Sequence, residues 1–280
     1  MFTKRKYGEF IEICAFISLV SLTMTGVSLL TQDWINGSAS VVDSTNDVQD
    51  STINYGLWGG TLIRKITLSP REYNIYITCL YSENKCAWSC RDSSETRIME
   101  IENLINGQKP LFDCQPILST KNIKLSTIKT TSDTNTGQFL NAGIYLSSLI
   151  FIITSFILYF ICFILAIVNC VICPTQWYLN TRGIVYLTIG ALIVHAIALI
   201  LFGFFYDFWI VENIGIFDTI VGEYKSIAHL GYSYWIFMFT CMFHTLIIIL
   251  LRIMDNRLRG DRAETVIVVA QINDPTTVLY

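Results

Sequence analysis

The sequence predicts an all-α membrane protein, a four-transmembrane helix bundle with one large extracellular loop between its first two spans. Three observations carry this. Of 280 residues, 52% are hydrophobic and only 15% charged, too apolar for a domain that must cover itself with polar side chains. The apolar residues gather in four blocks, 11–30, 143–168, 184–206 and 232–251, each long enough to cross a hydrocarbon core of about 30 Å as a helix. Basic residues flank those blocks on alternate sides, which fixes the orientation.

Residues 1–10 form the first cytosolic segment, and Lys4, Arg5 and Lys6 hold it there. The block 11–30 carries one carboxylate, Glu12, at its edge. A cleaved signal peptide shares that basic start, but its apolar core is shorter, and residues 29–33 offer no small-residue cleavage site. The block therefore reads as the first span. In lipid only a helix or a closed barrel satisfies its own backbone, and uninterrupted blocks of this length are helices. Arg182 marks 169–183 as a cytosolic loop, and Arg252, Arg257, Arg259 and Arg262 mark 252–280 as a cytosolic tail. Between them, 207–231 holds Asp207, Glu212, Asp218 and Glu223 against Lys225 alone, so it lies outside. The chain is a single four-span domain with both termini inside. Its net charge of -3 is divided among compartments, and no basic and aromatic residues interleave as nucleic-acid binding would require; the expected partners are the lipid bilayer and other proteins.

The loop 31–142 is the one part large enough to fold outside the membrane. Its polar stretch 38–51 reads as a mobile tip. Residues 57–68 and 73–80 are rich in β-branched and aromatic side chains, which favours strands, and a second polar run, 119–138, leads into span two. Cys79, Cys86, Cys90 and Cys114 all lie in this loop. In an oxidising compartment four cysteines form up to two disulfides, with three pairings open. A zinc cluster is the competing reading, but the loop has no histidine and no C-x2-C pair. Asn36, Gly37 and Ser38 make the chain's single N-x-S/T sequon, a candidate N-glycosylation site six residues beyond Leu30.

In 207–224 apolar residues recur at helical spacing: Phe208, Val211, Ile214, Phe217, Ile220, Val221 and Tyr224. Span three is thus expected to run on as an amphipathic helix against the large loop; an independent interfacial helix is the other reading. Cys170 and Cys173 precede Pro174 at the cytosolic end of span two. They are candidate acylation sites or small buried hydrophobes. Cys14, Cys162 and Cys241 fall within spans and read as packing residues. His195 and His244 fall near mid-bilayer on adjacent antiparallel helices, where they could face each other. An ionisable group at that depth is a functional hypothesis by default, although imidazoles also serve as interhelical hydrogen-bonding glue, the reading favoured here. Gly190, Ala191 and Ala198 would let a neighbouring helix approach span three closely. The terminal Val278, Leu279 and Tyr280 have the hydrophobic, any, hydrophobic form that PDZ grooves accept by strand addition.

No G-x-S-x-G, P-loop or H-E-x-x-H motif occurs, nor do paired carboxylates within the spans. The spans also lack the charged rings or filter loops of an ion pore. The chain is therefore expected not to be an enzyme, and neither a cofactor nor a small-molecule substrate is expected.

Trp34 after span one, then Gly56, Leu57 and Trp58, then cysteines, resembles the claudin superfamily pattern of W, G-L-W and two cysteines. Cys79 follows Trp58 by 21 residues and Cys86 follows Cys79 by 7, which departs from true claudins. Tyr55, Gly56 and Leu57, with Trp58 where clarins usually have Phe, is similar to the Y-G-L-F motif of the clarin family, four-span relatives of the claudins. The similarity continues in Tyr234, Trp235, Ile236 and Phe237, in Phe243 and His244 with Arg252 beyond, and in Ala263, Glu264, Thr265, Leu279 and Tyr280. The resemblance implies a claudin-like extracellular loop that folds as a small antiparallel sheet over the bundle, with Trp34, Gly56, Leu57 and Trp58 at its membrane edge. It also implies a non-enzymatic organiser or scaffold of the plasma membrane, of sensory cells, actin-rich protrusions and synapses, binding membrane or cytoskeletal proteins through loop and tail, with self-association into a homo-oligomer open. A claudin-type junction or adhesion protein and an auxiliary subunit of an ion channel or receptor are the alternatives. A tetraspanin would carry its cysteine-rich loop between spans three and four.

Overall fold

A computed structural model describes residues 2–41, 51–64, 70–108, 139–172, 179–211 and 224–272, with the backbone path alone at 2–8, 39–41, 224–226 and 261–272. Four long helices dominate: α1 (Phe2–Leu30), α3 (Ala142–Val171), α4 (Thr181–Phe205) and α5 (Tyr232–Ile272); a short α2 (Ser94–Ile105) lies between the first two. The segments Glu9–Leu30, Ala142–Val171, Thr181–Ile210 and Tyr232–Gly260 are long and apolar enough to cross a membrane. Each exceeds its apolar block in the sequence, because hydropathy marks the hydrocarbon-facing part of a helix and not its ends. The excess is greatest in α5. Its 41 residues extend about 60 Å at 1.5 Å per residue, so the tail expected after residue 251 begins as helix. Good helix formers continue there, and Arg259 pairs with Asp255 one turn earlier at 2.8 Å.

The loop between α1 and α3 contributes β1 (Ile35–Val41), β2 (Ser51–Tyr55), β3 (Gly59–Arg64), β4 (Arg71–Leu80), β5 (Lys85–Ser89) and β6 (Leu140–Asn141). β7 (Tyr224–Leu230) comes from the connection between α4 and α5. Together they form one antiparallel sheet in the order β6-β5-β4-β3-β2-β1-β7.

Two expectations are corrected here in part. The polar stretch 38–51 is not a mobile tip at its ends: residues 38–41 belong to β1 and Ser51 opens β2, while 42–50 lie outside the described residues. Gly, Ser and Ala have weak strand propensity, but β1 is flanked on both sides, by β2 and by β7, and two hydrogen-bonded ladders override that preference. Of residues 57–68, expected to be extended, 59–64 form β3 after a turn in which Gly56 donates its N–H to the Gly59 carbonyl at 2.8 Å; residues 65–69 lie outside the described residues. The helix expected over 207–224 does run on from α4 at its start, as a π-helical turn, Tyr206–Ile210, but Tyr224 opens a strand instead; residues 212–223 lie outside the described residues. The helix α2 has no counterpart in the sequence reading.

Gly231 shows how tightly these pieces join: a Cβ there would stand 1.9 Å from the Asp33 carbonyl oxygen. Only glycine lets the end of β7 approach the end of α1 so closely.

The contacts divide the chain into two compact units. One comprises Met24–Ile153 and His195–Met238 and contains the sheet. Alternation along the strands buries Ile53, Tyr55, Leu62, Tyr73 and Ile75 on one face, where they pack with Trp34, Tyr145, Ile152, Phe202, Phe205 and Phe237 from the helices and their ends. The other comprises Met1–Thr23, Thr154–Val194 and Phe239–Tyr280, with a core of Cys14, Ile184, Val185, Ile247, Leu251 and Met254.

In both units the buried helix faces are unusually polar. Ser18, Ser21, Thr25 and Ser28 recur at three- and four-residue spacing along α1, and Ser148, Ser155 and Asn169 at multiples of seven along α3. Phe16, Ile150, Ile157, Ile193 and Met242 point outward instead. This arrangement suits lipid, where large apolar side chains face the chains and small or polar ones hold helices together.

Candidate functional site

The candidate site is the junction where the sheet meets the helices that carry it, and Trp34 is its centre. It follows α1 by four residues and is wholly buried, 0% exposed. Its Nε1–H donates to the Ser28 carbonyl at 2.7 Å. The indole packs on Phe202, Phe237 and Tyr234 with ring centroids 4.7, 5.5 and 6.3 Å away. Its backbone N–H donates to the Tyr55 carbonyl at 2.8 Å, and its carbonyl accepts from Gly231 N–H at 2.8 Å. One residue thus ties α1, β2 and the β7–α5 corner together. Beside it the Ser28 hydroxyl donates to the Ser233 carbonyl at 2.7 Å, and the Thr31 and Ser233 hydroxyls are bonded at 2.7 Å.

Tyr55, Gly56, Leu57 and Trp58 form the second half of the junction. Tyr55 is buried and stacks on Trp88 at 4.2 Å; burial pushes its phenol well above its ordinary range. At Gly56 a Cβ would stand 3.0 Å from the Thr31 carbonyl oxygen, the Gln32 Cα and the Gly59 carbonyl oxygen, which explains glycine there. Leu57 is buried, and its carbonyl accepts from the Tyr145 hydroxyl at 2.6 Å. Of the residues expected at the membrane edge, Trp34 and Leu57 are therefore core residues. Trp58 alone presents its ring outward, 53% exposed.

The loop cysteines fasten the far side of the sheet. Cys79 and Cys86 are directly opposed on β4 and β5 and form a disulfide, with their Cα atoms 4.0 Å apart. Cys90 is also disulfide-bonded; its partner, and Cys114, lie outside the described residues. The hairpin closed by Cys79–Cys86 turns at Asn84, in the left-handed conformation at φ 52°. The Asn84 side-chain oxygen accepts from Gly143 N–H at 2.8 Å, satisfying one of the donors exposed at the start of α3. Opposite, α2 is clamped to β4 and β5. Arg97 donates to the Thr78 hydroxyl and to the Arg91 and Asp92 carbonyls at 3.2, 2.8 and 2.8 Å, its guanidinium lies over Tyr76, and the Ser89 hydroxyl bonds Glu100. Among the described residues no group of three or more His, Cys, Asp or Glu side chains could hold a metal.

Asn36 lies within β1, with Asn54 and His229 opposite it on the two flanking strands. Its Oδ1 is buried without a hydrogen-bond partner among the described residues.

The two span histidines each stack on an aromatic ring. His195 stacks on Phe237 at 3.9 Å, and its Nε2 is 2.9 Å from the Phe237 carbonyl. Since that carbonyl only accepts, Nε2 carries the proton. His244 stacks on Tyr159 at 3.6 Å. Polar serines and threonines on the same buried faces escaped the sequence reading, although the spacing of Ser18, Ser21, Thr25 and Ser28 carries the signal. Ala191 and Ala198 are buried, whereas a Cβ at Gly190 would meet nothing within 4 Å. Cys170 is exposed at the end of α3. Cys173, Val278, Leu279 and Tyr280 lie outside the described residues.

Physically, the junction holds a multi-stranded platform in fixed register on the ends of membrane-type helices. No protein-family model matches the chain, and no curated protein matches it in sequence.

Proposed function

We propose that the chain is a clarin-like, non-enzymatic membrane organiser whose claudin-like outer loop and cytosolic tail bind membrane or cytoskeletal proteins. The observation that supports this reading most directly is the Trp34 junction. A tryptophan with its N–H, its backbone groups and all of its ring surface engaged is an investment in rigidity. A rigid platform suits recognition, because little conformational entropy is lost when a partner docks. In this reading the protein sits in the plasma membrane of sensory or protrusion-rich cells with both termini in the cytosol. The exposed Cys170 thiol is available for acylation, Asn36 is the candidate glycan acceptor, and the terminus ending in Tyr280 is offered to PDZ domains.

Proximity labelling from a tagged, full-length chain tests the proposal. Recovery of cytoskeletal or sensory-complex proteins from the tail side is the expected result. Conductance by the purified protein in liposomes, or aggregation of non-adherent cells that express it, would replace the organiser reading with a pore or an adhesion reading.

A further inference from the structure

We propose that the Trp58 side chain is a lipid anchor, which seats the sheet on the bilayer by entering the headgroup and glycerol layer of the leaflet beneath it. Two independent observations place it there. The first is depth. Trp58 ends a turn that rests on the ends of two spans. A Cβ at Gly56 would stand 3.0 Å from the Thr31 carbonyl oxygen and from the Gln32 Cα, and those residues directly follow Leu30, the last of α1. The Leu57 carbonyl accepts from the Tyr145 hydroxyl at 2.6 Å, and Tyr145 lies in the first turn of α3. The next residue is thus held where two apolar helices leave the hydrocarbon, and its ring is 53% exposed.

The second observation is where the other exposed aromatic rings lie. At the sheet end of the bundle Phe208, which continues α4, and Tyr232 and Trp235, which open α5, are 66, 49 and 46% exposed. Exposed aromatic rings at a span's end are the mark of a membrane interface. The helices α1 and α3 present none at this end: residues 24–30 include no aromatic, and the Tyr145 ring is buried. Trp58, delivered from the loop, supplies the ring that these two helix ends lack. Its chemistry suits the layer, because the flat indole body lies against acyl chains while its N–H donates to ester or phosphate oxygens. A zwitterionic glycerophospholipid such as phosphatidylcholine provides both. Trp34 then fixes the sheet to the helices from within, and Trp58 fixes it to lipid from without.

The inference rests on reading the helices as spans, not on the side of the membrane that the sheet occupies. The test uses the full chain in phosphatidylcholine vesicles whose acyl chains carry bromine, a contact quencher of tryptophan, either near the glycerol or at mid-chain. Emission from Trp58 is the difference between wild type and W58F, and emission from Trp235, taken from W235F, serves as the depth ruler. Trp58 should lose its emission to bromine near the glycerol and keep it with bromine at mid-chain, in the same order as Trp235. A Trp58 untouched by either lipid while Trp235 is quenched overturns the anchor and leaves the spans standing, as does stronger quenching from mid-chain. Quenching of neither tryptophan would overturn the spans themselves. The unaltered chain gives a readout that needs no variant: phosphatidylcholine with a photoreactive headgroup should label residues 56–58, and label on the start of α5 without label there refutes the proposal.

Discussion

Replacing Trp34 by alanine should cost more stability than any other single truncation in the sheet-bearing unit. The ring is fully buried against Phe202, Phe237 and Tyr234, and truncating such a side chain costs about 3–5 kcal/mol. Trp34→Phe separates the terms: it keeps most of the ring body but removes the donor to the Ser28 carbonyl, a loss of about 1–2 kcal/mol once the smaller ring is included. Trp58 is the internal control. It belongs to the same tryptophan-rich signature, but its ring is 53% exposed, so Trp58→Ala should stay within about 1 kcal/mol of wild type. The assay is equilibrium unfolding of the purified chain in mixed micelles, followed by near-ultraviolet circular dichroism. Equal destabilisation by the two alanine variants, or a Trp34→Ala protein as stable as wild type, refutes the assignment of Trp34 as the joint.

Replacing Cys79 and Cys86 together by alanine should destabilise the sheet by about 2.5 kcal/mol, the chain-entropy value for closing so short a loop, measured by protease susceptibility of the loop; reduction, which also opens the Cys90 disulfide, should cost more. Asn84→Ala should cost about 1 kcal/mol by exposing the Gly143 N–H, and hydrogen exchange should quicken at the first turn of α3 while α5 is unchanged. Because burial raises the Tyr55 phenol above its ordinary value of 10, the unfolded chain loses that proton first as pH rises. Stability is therefore intact below pH 10 and falls above it, and Tyr55→Phe should make the alkaline limb of an unfolding-midpoint against pH curve shallower.

The four long helices were legible because lipid imposes a single rule on composition over about twenty residues, and β4 because its aromatic and β-branched side chains carry strand propensity. β7 was not. Its residues Tyr224 to Leu230 gain their strand character from β1, which lies far away in sequence, and the helical spacing of Phe217, Ile220, Val221 and Tyr224 pointed elsewhere. The same holds for Ser38, Ala39 and Ser40, which are weak strand formers held between two ladders. The aromatic motif drew attention to the right residues, but not to their opposite fates: nothing in the run Gly56, Leu57, Trp58 says that the leucine is buried and the tryptophan exposed. The histidines were found by type, yet their stacking partners Phe237 and Tyr159 depend on helix rotation, which hydropathy does not encode.

The ladder between β1 and β7 also has a meaning for biosynthesis. Ile35 pairs with Leu230 and Val41 with Tyr224, so the first of the described strands to leave the ribosome waits for the last. Until some 190 residues more have been translated, β1 presents a bare edge able to recruit a stranger's strand. A nascent chain stalled before β7 emerges is thus the species most in need of a chaperone, and premature termination there would yield a sheet with a sticky border rather than a shorter working one.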